Sequence, residues 1–98
     1  ASKMVEVIGQ GAVASPMYGL KGPKILAGDH APNFPLKHSS KDMTLASAMA
    51  KKAGVEFTVN DQAETLFRKA KEDNELHVAD EDFSAVYKLV QKESAGKK

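Results

Sequence analysis

Apolar positions recur at helical spacing in several stretches of the chain, separated by clusters of Gly, Pro, Ser and Asp. Ser2 can cap a short helix with Met4, Val7 and Ile8 on one face, ended by Gly9 and Gly11. Ser15-Pro16 is a fresh start, a capping hydroxyl before a proline at the first helical position. That helix carries Met17 and Leu20 and is expected to stop at Gly22-Pro23, with Lys24 to Ala27 adding one more turn. Residues 28–35, with Asp29, His30, Pro32, Asn33 and Pro35, read as an irregular loop. The clearest helix follows. Ser39 or Ser40 can cap it, Asp42 suits its positive end, and Met43, Ala46, Ala50 and Ala53, with Leu45 and Met49 beside them, make a broad apolar face up to a stop at Gly54. The three alanines leave room for another helix to approach closely.

Thr58, Asn60 or Asp61 caps the fourth helix, with Ala63, Leu66, Phe67 and Ala70 on one face and Glu64 to Arg68 as a favourable i, i+4 pair; Asp73-Asn74 ends it. Asp80 or Asp82 caps the last, which presents Phe83, Val86, Tyr87 and Val90. Residues 94–98 read as a frayed basic tail. Val55 to Thr58 is too short to demand a sheet. The pattern predicts an all-α fold of four or five helices with a long loop between the second and third.

Composition narrows the function. The chain has 98 residues, 42% of them apolar, with a formal net charge of +1. That length allows one domain with one modest core, and the balance of apolar content and charge excludes a disordered chain. A charge so close to neutral argues against a nucleic-acid partner, and 6% aromatics without Trp against a base-stacking platform. No apolar run reaches the ~18 residues of a membrane span, and no signal peptide is visible. The absence of Cys removes disulfides, thiolate metal sites and a cysteine nucleophile. Small secreted domains usually need such staples, so a cytoplasmic or organellar-matrix setting is favoured over secretion.

Candidate chemistry is sparse. Gly9-Gln-Gly11-Ala-Val-Ala14 follows the strand-like run from Met4 to Ile8 and matches GxGxxA, with Asp29 about twenty residues on, as in a dinucleotide turn. That turn must open a continuous helix whose N-terminus faces the pyrophosphate. Pro16 follows within two residues, Gly19, Gly22 and Pro23 after it, and no second strand precedes Asp29, so the glycines are read as helix breakers. His30, His38 and His77 share no metal-ligand spacing, and His30 and His38 are expected at the surface or a pocket rim. Asp80-Glu81-Asp82 lacks the glycine and distal glutamate of a calcium loop and reads as a capped helix start. Lys41 stands out. It is expected in the first turn of the strongest helix, where a cation opposes the macrodipole by about 0.3–1 kcal/mol, and where an ammonium beside a flexible loop can meet an anionic ligand.

The stretch from Phe34 to Ala46, FPLKHSSKDMTLA, resembles the cofactor-contacting F-x6-K-D-L-x-L-A motif of the β-hydroxyacid dehydrogenase family. That family includes 3-hydroxyisobutyrate dehydrogenases, tartronate semialdehyde reductases and glyoxylate/succinic semialdehyde reductases. Residues 10–23, QGAVASPMYGLKGP, are similar to the plant-type glyoxylate/succinic semialdehyde reductases, and residues 80–86, DEDFSAV, to the family's closing D-x-D-F-S-x-V helix. The order and spacing agree from about residue 2 to residue 91. Met43 replaces the motif's usual Leu, and Thr44 a Gly or Arg.

The resemblance implies the C-terminal helical domain of a 6-phosphogluconate-dehydrogenase-like enzyme, spanning residues 1–93 before the tail, without the N-terminal Rossmann domain. It implies an enzyme that uses NADP or NAD, bound mainly by that absent domain, to reduce a small aldehyde acid or oxidise a 3-hydroxy acid. Lys41 then corresponds to the cofactor-contacting lysine, Phe34 and Asp42 to substrate-pocket positions, and no catalytic residue or metal ligand lies in these 98 residues, which alone should be inactive. The implied partners are the chain's own Rossmann domain and connecting helix, a second copy of the chain in a homo-oligomer, and a small carboxylate substrate, with no nucleic acid and no membrane. Apolar helix faces left uncovered should make the isolated chain self-associate or only marginally stable. The alternative function is a non-catalytic helical module whose apolar groove binds a peptide or partner helix.

Overall fold

The computed structural model describes residues 1–96. It is all-α, with helices α1 (Ser2–Gly9), α2 (Pro16–Ala27), α3 (Leu36–Lys52), α4 (Thr58–Glu72) and α5 (Val86–Ala95), and a 3-10 turn, Phe83–Ala85, leading into α5. The described residues form no strand, only an isolated antiparallel bridge between Pro35 and Asp82. Lys97 and Lys98 of the expected tail lie outside the described residues, and Ser94 and Ala95 are helical. Two compact units divide the chain, Ala1–His30 and Ala31–Lys98.

In the first unit α1 packs on α2. Ser2 is the first helical residue of α1 and makes no cap, because Ala1 occupies the capping position. Ser15 caps α2 as expected: its backbone is extended and its Oγ accepts the Tyr18 N–H at 3.4 Å. The helix does not stop at Gly22-Pro23 but runs to Ala27, ending on left-handed Gly28. Pro23 removes one backbone donor from the helix. Gly22 is a contact position rather than a breaker. A Cβ there would stand 2.8 Å from Val5 Cγ1, so only glycine lets α2 lie this close to α1.

The second unit holds the core, in which Leu36, Ala70, Val78, Ala85 and Leu89 cluster with Phe67, Leu76 and Val86 packed around them. Burying a leucine such as Leu36, wholly inaccessible to solvent, contributes about 1.5–3 kcal/mol. The expected apolar face of α3 splits. Ala50 is buried, but Leu45 and Met49 point outward and are 56% and 73% exposed. Leu89, not Val90 or Tyr87, is the buried residue of α5. The pair Arg68–Glu64 forms at 3.0 Å.

Helix α3 begins at Leu36, four or five residues earlier than a cap at Ser39 or Ser40 would place it. Its first donors need no hydroxyl, because the Leu36 and Lys37 N–H groups bond to the Glu81 and Ala79 carbonyls at 2.8 and 3.0 Å. Ser40 is consequently buried inside the helix, its Oγ without a partner. The helix ends at Lys52, with Gly54 in the left-handed conformation that its stop role requires. Likewise α4 starts at Thr58 without a side-chain cap. Asn60 turns instead to α3, its Nδ2 donating to the Met43 carbonyl at 3.0 Å and to Ser47 Oγ at 2.8 Å, while Ser47 donates to Asp61 at 2.6 Å.

Candidate functional site

The start at Leu36 moves Lys41 out of the first turn into the second, which corrects its expected position and removes most of the dipole penalty, since that effect fades within one turn. Lys41 and Asp42 are both exposed on α3. With a repeat of 3.6 residues, His38, Lys41, Asp42, Leu45 and Met49 share one outward face, opposite buried Leu36, Ser40 and Ala50.

Phe34 stands just before this helix, 43% exposed, its ring tilted against His38 at a centroid distance of 5.9 Å. His38 is thus at the surface as expected. His30 is not: only 6% of it is accessible, and it is partnered, as a buried imidazole must be. Lys37 is one turn before Lys41, and its ammonium is paired with Asp80. The hydrogen bond from Lys37, then its charge, holds the Asp80 carboxyl below its ordinary range. Lys41 has no carboxylate partner among the described residues, so its charge remains available. The face therefore offers the Lys41 ammonium one turn after His38, which carries the half-exposed Phe34 ring, and two outward apolar side chains.

The backbone that carries Phe34 is held from the far end of the chain. Asp82 is completely buried. Its Oδ1 accepts the Asn33 and Phe34 N–H groups at 2.9 and 3.2 Å, its Oδ2 accepts the Ser84 N–H at 3.1 Å, and the Phe83 N–H donates to the Phe34 carbonyl at 2.8 Å. Sequence reasoning offered Asp80 or Asp82 as the cap here, and it is Asp82 that caps, on the 3-10 turn before α5. That reasoning missed the bonds to residues 33 and 34, because nothing in a local pattern signals a partner 48 or 49 residues away. The described residues offer no group of three or more His, Cys, Asp or Glu that could hold a metal. No helix among them is long and apolar enough to cross a membrane.

A family model described as NAD-binding of NADP-dependent 3-hydroxyisobutyrate dehydrogenase matches residues 1–90. The chain belongs to this family. It is 42% identical over 83 residues to glyoxylate/succinic semialdehyde reductase 2, chloroplastic, of Arabidopsis thaliana, which covers 85% of this chain and 22% of that protein. It is 38% identical over 87 residues to glyoxylate/succinic semialdehyde reductase 1 of the same plant, covering 89% of this chain and 29% of the relative. Human cytokine-like nuclear factor N-PAC is 32% identical over 85 residues, 87% of this chain and 15% of that one. Among solved structures, the 3-hydroxyisobutyrate dehydrogenase of Salmonella typhimurium superposes with a TM-score of 0.80 at 25% identity, over 90% of this chain and 30% of that one. The β-hydroxyacid dehydrogenase resemblance and the all-α fold are thereby established, and with them an oxidoreductase family that works with a nicotinamide cofactor. The chain spans roughly a quarter of the length of the reductases it matches.

Proposed function

We propose that the chain is the helical domain, from about residue 1 to 93, of an NAD(P)-dependent oxidoreductase, and that it closes over a cofactor held mainly by a separate Rossmann domain. The substrate is a small aldehyde acid such as glyoxylate or succinic semialdehyde, or the corresponding 3-hydroxy acid. The observation that carries this reading is the exposed Lys41, without a carboxylate partner among the described residues, one turn after the His38 that the Phe34 ring packs against, on a chain of an NAD-binding family.

The donor set suits such a cofactor. An ammonium can hold an anionic or carbonyl oxygen, and a half-exposed ring can cover an apolar heterocycle. A reduced nicotinamide, when bound, supplies a hydride to the carbonyl carbon of the substrate. In this role Lys41 binds and orients at the cofactor and the carboxylate-bearing pocket, Phe34 excludes water, and Asp42 lines the pocket wall. No proton donor is assigned to this chain, and alone it should turn nothing over. The partners are the Rossmann domain with its connecting helix and a second copy of the chain. Support for the latter comes from the outward Met4, Val7, Leu45, Met49 and Val59, which are 56–84% exposed.

The test is a graft of this chain into the Arabidopsis reductase in place of the segment it matches, assayed with NADPH and glyoxylate. Lys41→Ala should raise the cofactor KM or lower kcat about tenfold, a loss of roughly one charge-assisted hydrogen bond. Unchanged kinetics would overturn the assignment.

One observation favours a second reading, a helical interaction module. A groove of about 350 Å³ lined by Ala46, Met49, Ala50, Val55 and Phe57 is almost wholly apolar and open to solvent. Tight binding of an amphipathic helix, insensitive to NADPH, would select it.

A further inference from the structure

We infer that Asp82 is a positioning residue for the candidate site, its carboxylate clamping the 33–34 backbone so that Phe34 and the start of α3, hence Lys41, are held in place. The inference rests on the functional reading above for what is positioned, but the clamp itself is a separate claim.

Three observations converge on it. Asp82 has no solvent exposure, yet its oxygens face backbone N–H groups from two distant parts of the chain: Asn33 and Phe34 on one side, Ser84 on the other. A buried carboxylate without such donors would be strongly disfavoured, so the donors and the carboxylate fix one another. Next, the segment around Asp82 also receives the opening of α3. The carbonyls of Ala79 and Glu81 take the Lys37 and Leu36 N–H groups, and Pro35 bridges to Asp82. The helix that presents Lys41 is therefore aimed by residues 79–84 rather than by a cap of its own. Finally, the ion pair from Lys37 to Asp80 ties the same two segments at the surface and takes up the neighbouring cation. Asp82 does not touch the outward face of α3, and its influence on any ligand there runs through Phe34 and the helix axis.

Asp82→Asn preserves the shape but replaces one acceptor oxygen by an N–H₂ that opposes a donor. In the 98-residue chain, amide exchange at Asn33, Phe34, Leu36 and Lys37 should accelerate about tenfold or more, as expected for losing hydrogen bonds to a charged group, while α4 amides keep their rates. Unchanged exchange at Asn33 and Phe34, or an equal acceleration everywhere, overturns the positioning role. In the grafted enzyme, Asp82→Asn should raise the NADPH KM alone, but by less than about twofold when Lys41→Ala is already present, because there is then no ammonium left to aim. Effects that multiply fully also overturn it. A KM and a kcat both indifferent to Lys41→Ala sink the functional reading, and the exchange experiment then still decides whether the clamp exists.

Discussion

Gly19 and Gly22 lie one turn apart on α2, and replacing each by alanine should have opposite consequences. Both substitutions gain the helix preference of Ala over Gly, about 0.8–1 kcal/mol. At Gly19 an added Cβ meets nothing within 4 Å, so the gain is kept and the chain is stabilised. At Gly22 the same Cβ meets Val5 Cγ1 at 2.8 Å and Cγ2 at 3.3 Å. Carbon pairs prefer about 3.5–4.0 Å, so the nearer contact is deep in the repulsive wall. Valine cannot swing aside, because its χ1 is stiff and both methyls border the contact. The two helices must separate instead, an overpacking cost of about 1–3 kcal/mol. Gly22→Ala should therefore be neutral to about 2 kcal/mol destabilising, and fall about 1–3 kcal/mol below Gly19→Ala. In a Val5→Ala background the clash is gone and Gly22→Ala should become favourable. Urea denaturation followed by far-UV circular dichroism gives the midpoints, and amide exchange within α2 gives the local value if the first unit opens separately. If Gly22→Ala stabilises as much as Gly19→Ala, the close approach of α1 and α2 is wrong.

Ser40→Ala should stabilise the chain by about 1 kcal/mol, because it deletes a buried hydroxyl that has no partner and improves helix preference; a lower urea midpoint would show that the hydroxyl is satisfied. The Asp73 carboxyl is lowered from 3.8 to about 2, first by the hydrogen bond from Lys92 and then by the Leu76 and Glu75 N–H groups. A folded-state value below the unfolded one contributes stability that is complete above 3.8 and disappears as pH falls toward about 2. Asp73→Asn should thus flatten the acid limb of the stability profile in that window, and an unaltered limb would refute the linkage. The lysine of this pair, Lys92, is raised mainly by the same hydrogen bond, so its share persists at neutral pH and is lost only at the alkaline end.

The sequence made legible what depends on neighbours three or four residues apart. The Ser15 cap, the left-handed stop at Gly54, the Glu64–Arg68 pair and the end of α4 at Asp73 are all settled locally, and all appear. What failed to show were features decided across the chain. Gly22-Pro23 reads as a stop, yet Val5 makes Gly22 a packing position. Ser39 and Ser40 read as caps, yet carbonyls from residues 79 and 81 satisfy the first donors of α3 and let it start at Leu36. Val78, a fully buried apolar side chain, lies between helices and could not be found by spacing, and Leu36 falls in register with Met43 and Ala50 but ahead of the cap assumed at Ser39 or Ser40.

The shifted start of α3 also changes why Lys41 matters. In the first turn its distinction would have been an unfavourable place in the helix field. In the second turn that field is weak, and the distinction becomes one of partnership. Lys37, Lys69, Lys88 and Lys92 are all paired with carboxylates, whereas Lys41 has none among the described residues. Asp42 follows it directly in the helix, but adjacent residues on a helix diverge by about 100° and do not face one another. An ammonium kept free while its neighbour one turn earlier is neutralised by Asp80 leaves Lys41 as the available cation at the head of this face, about three turns from exposed Lys52, able to take one anionic or carbonyl group at a defined position. The apolar Leu45 and Met49 on the same face then favour a ligand or surface that is flat and largely uncharged beyond that one group. Replacement of Lys41 should consequently weaken binding with little dependence on salt, since one charge contact rather than a cluster is at stake.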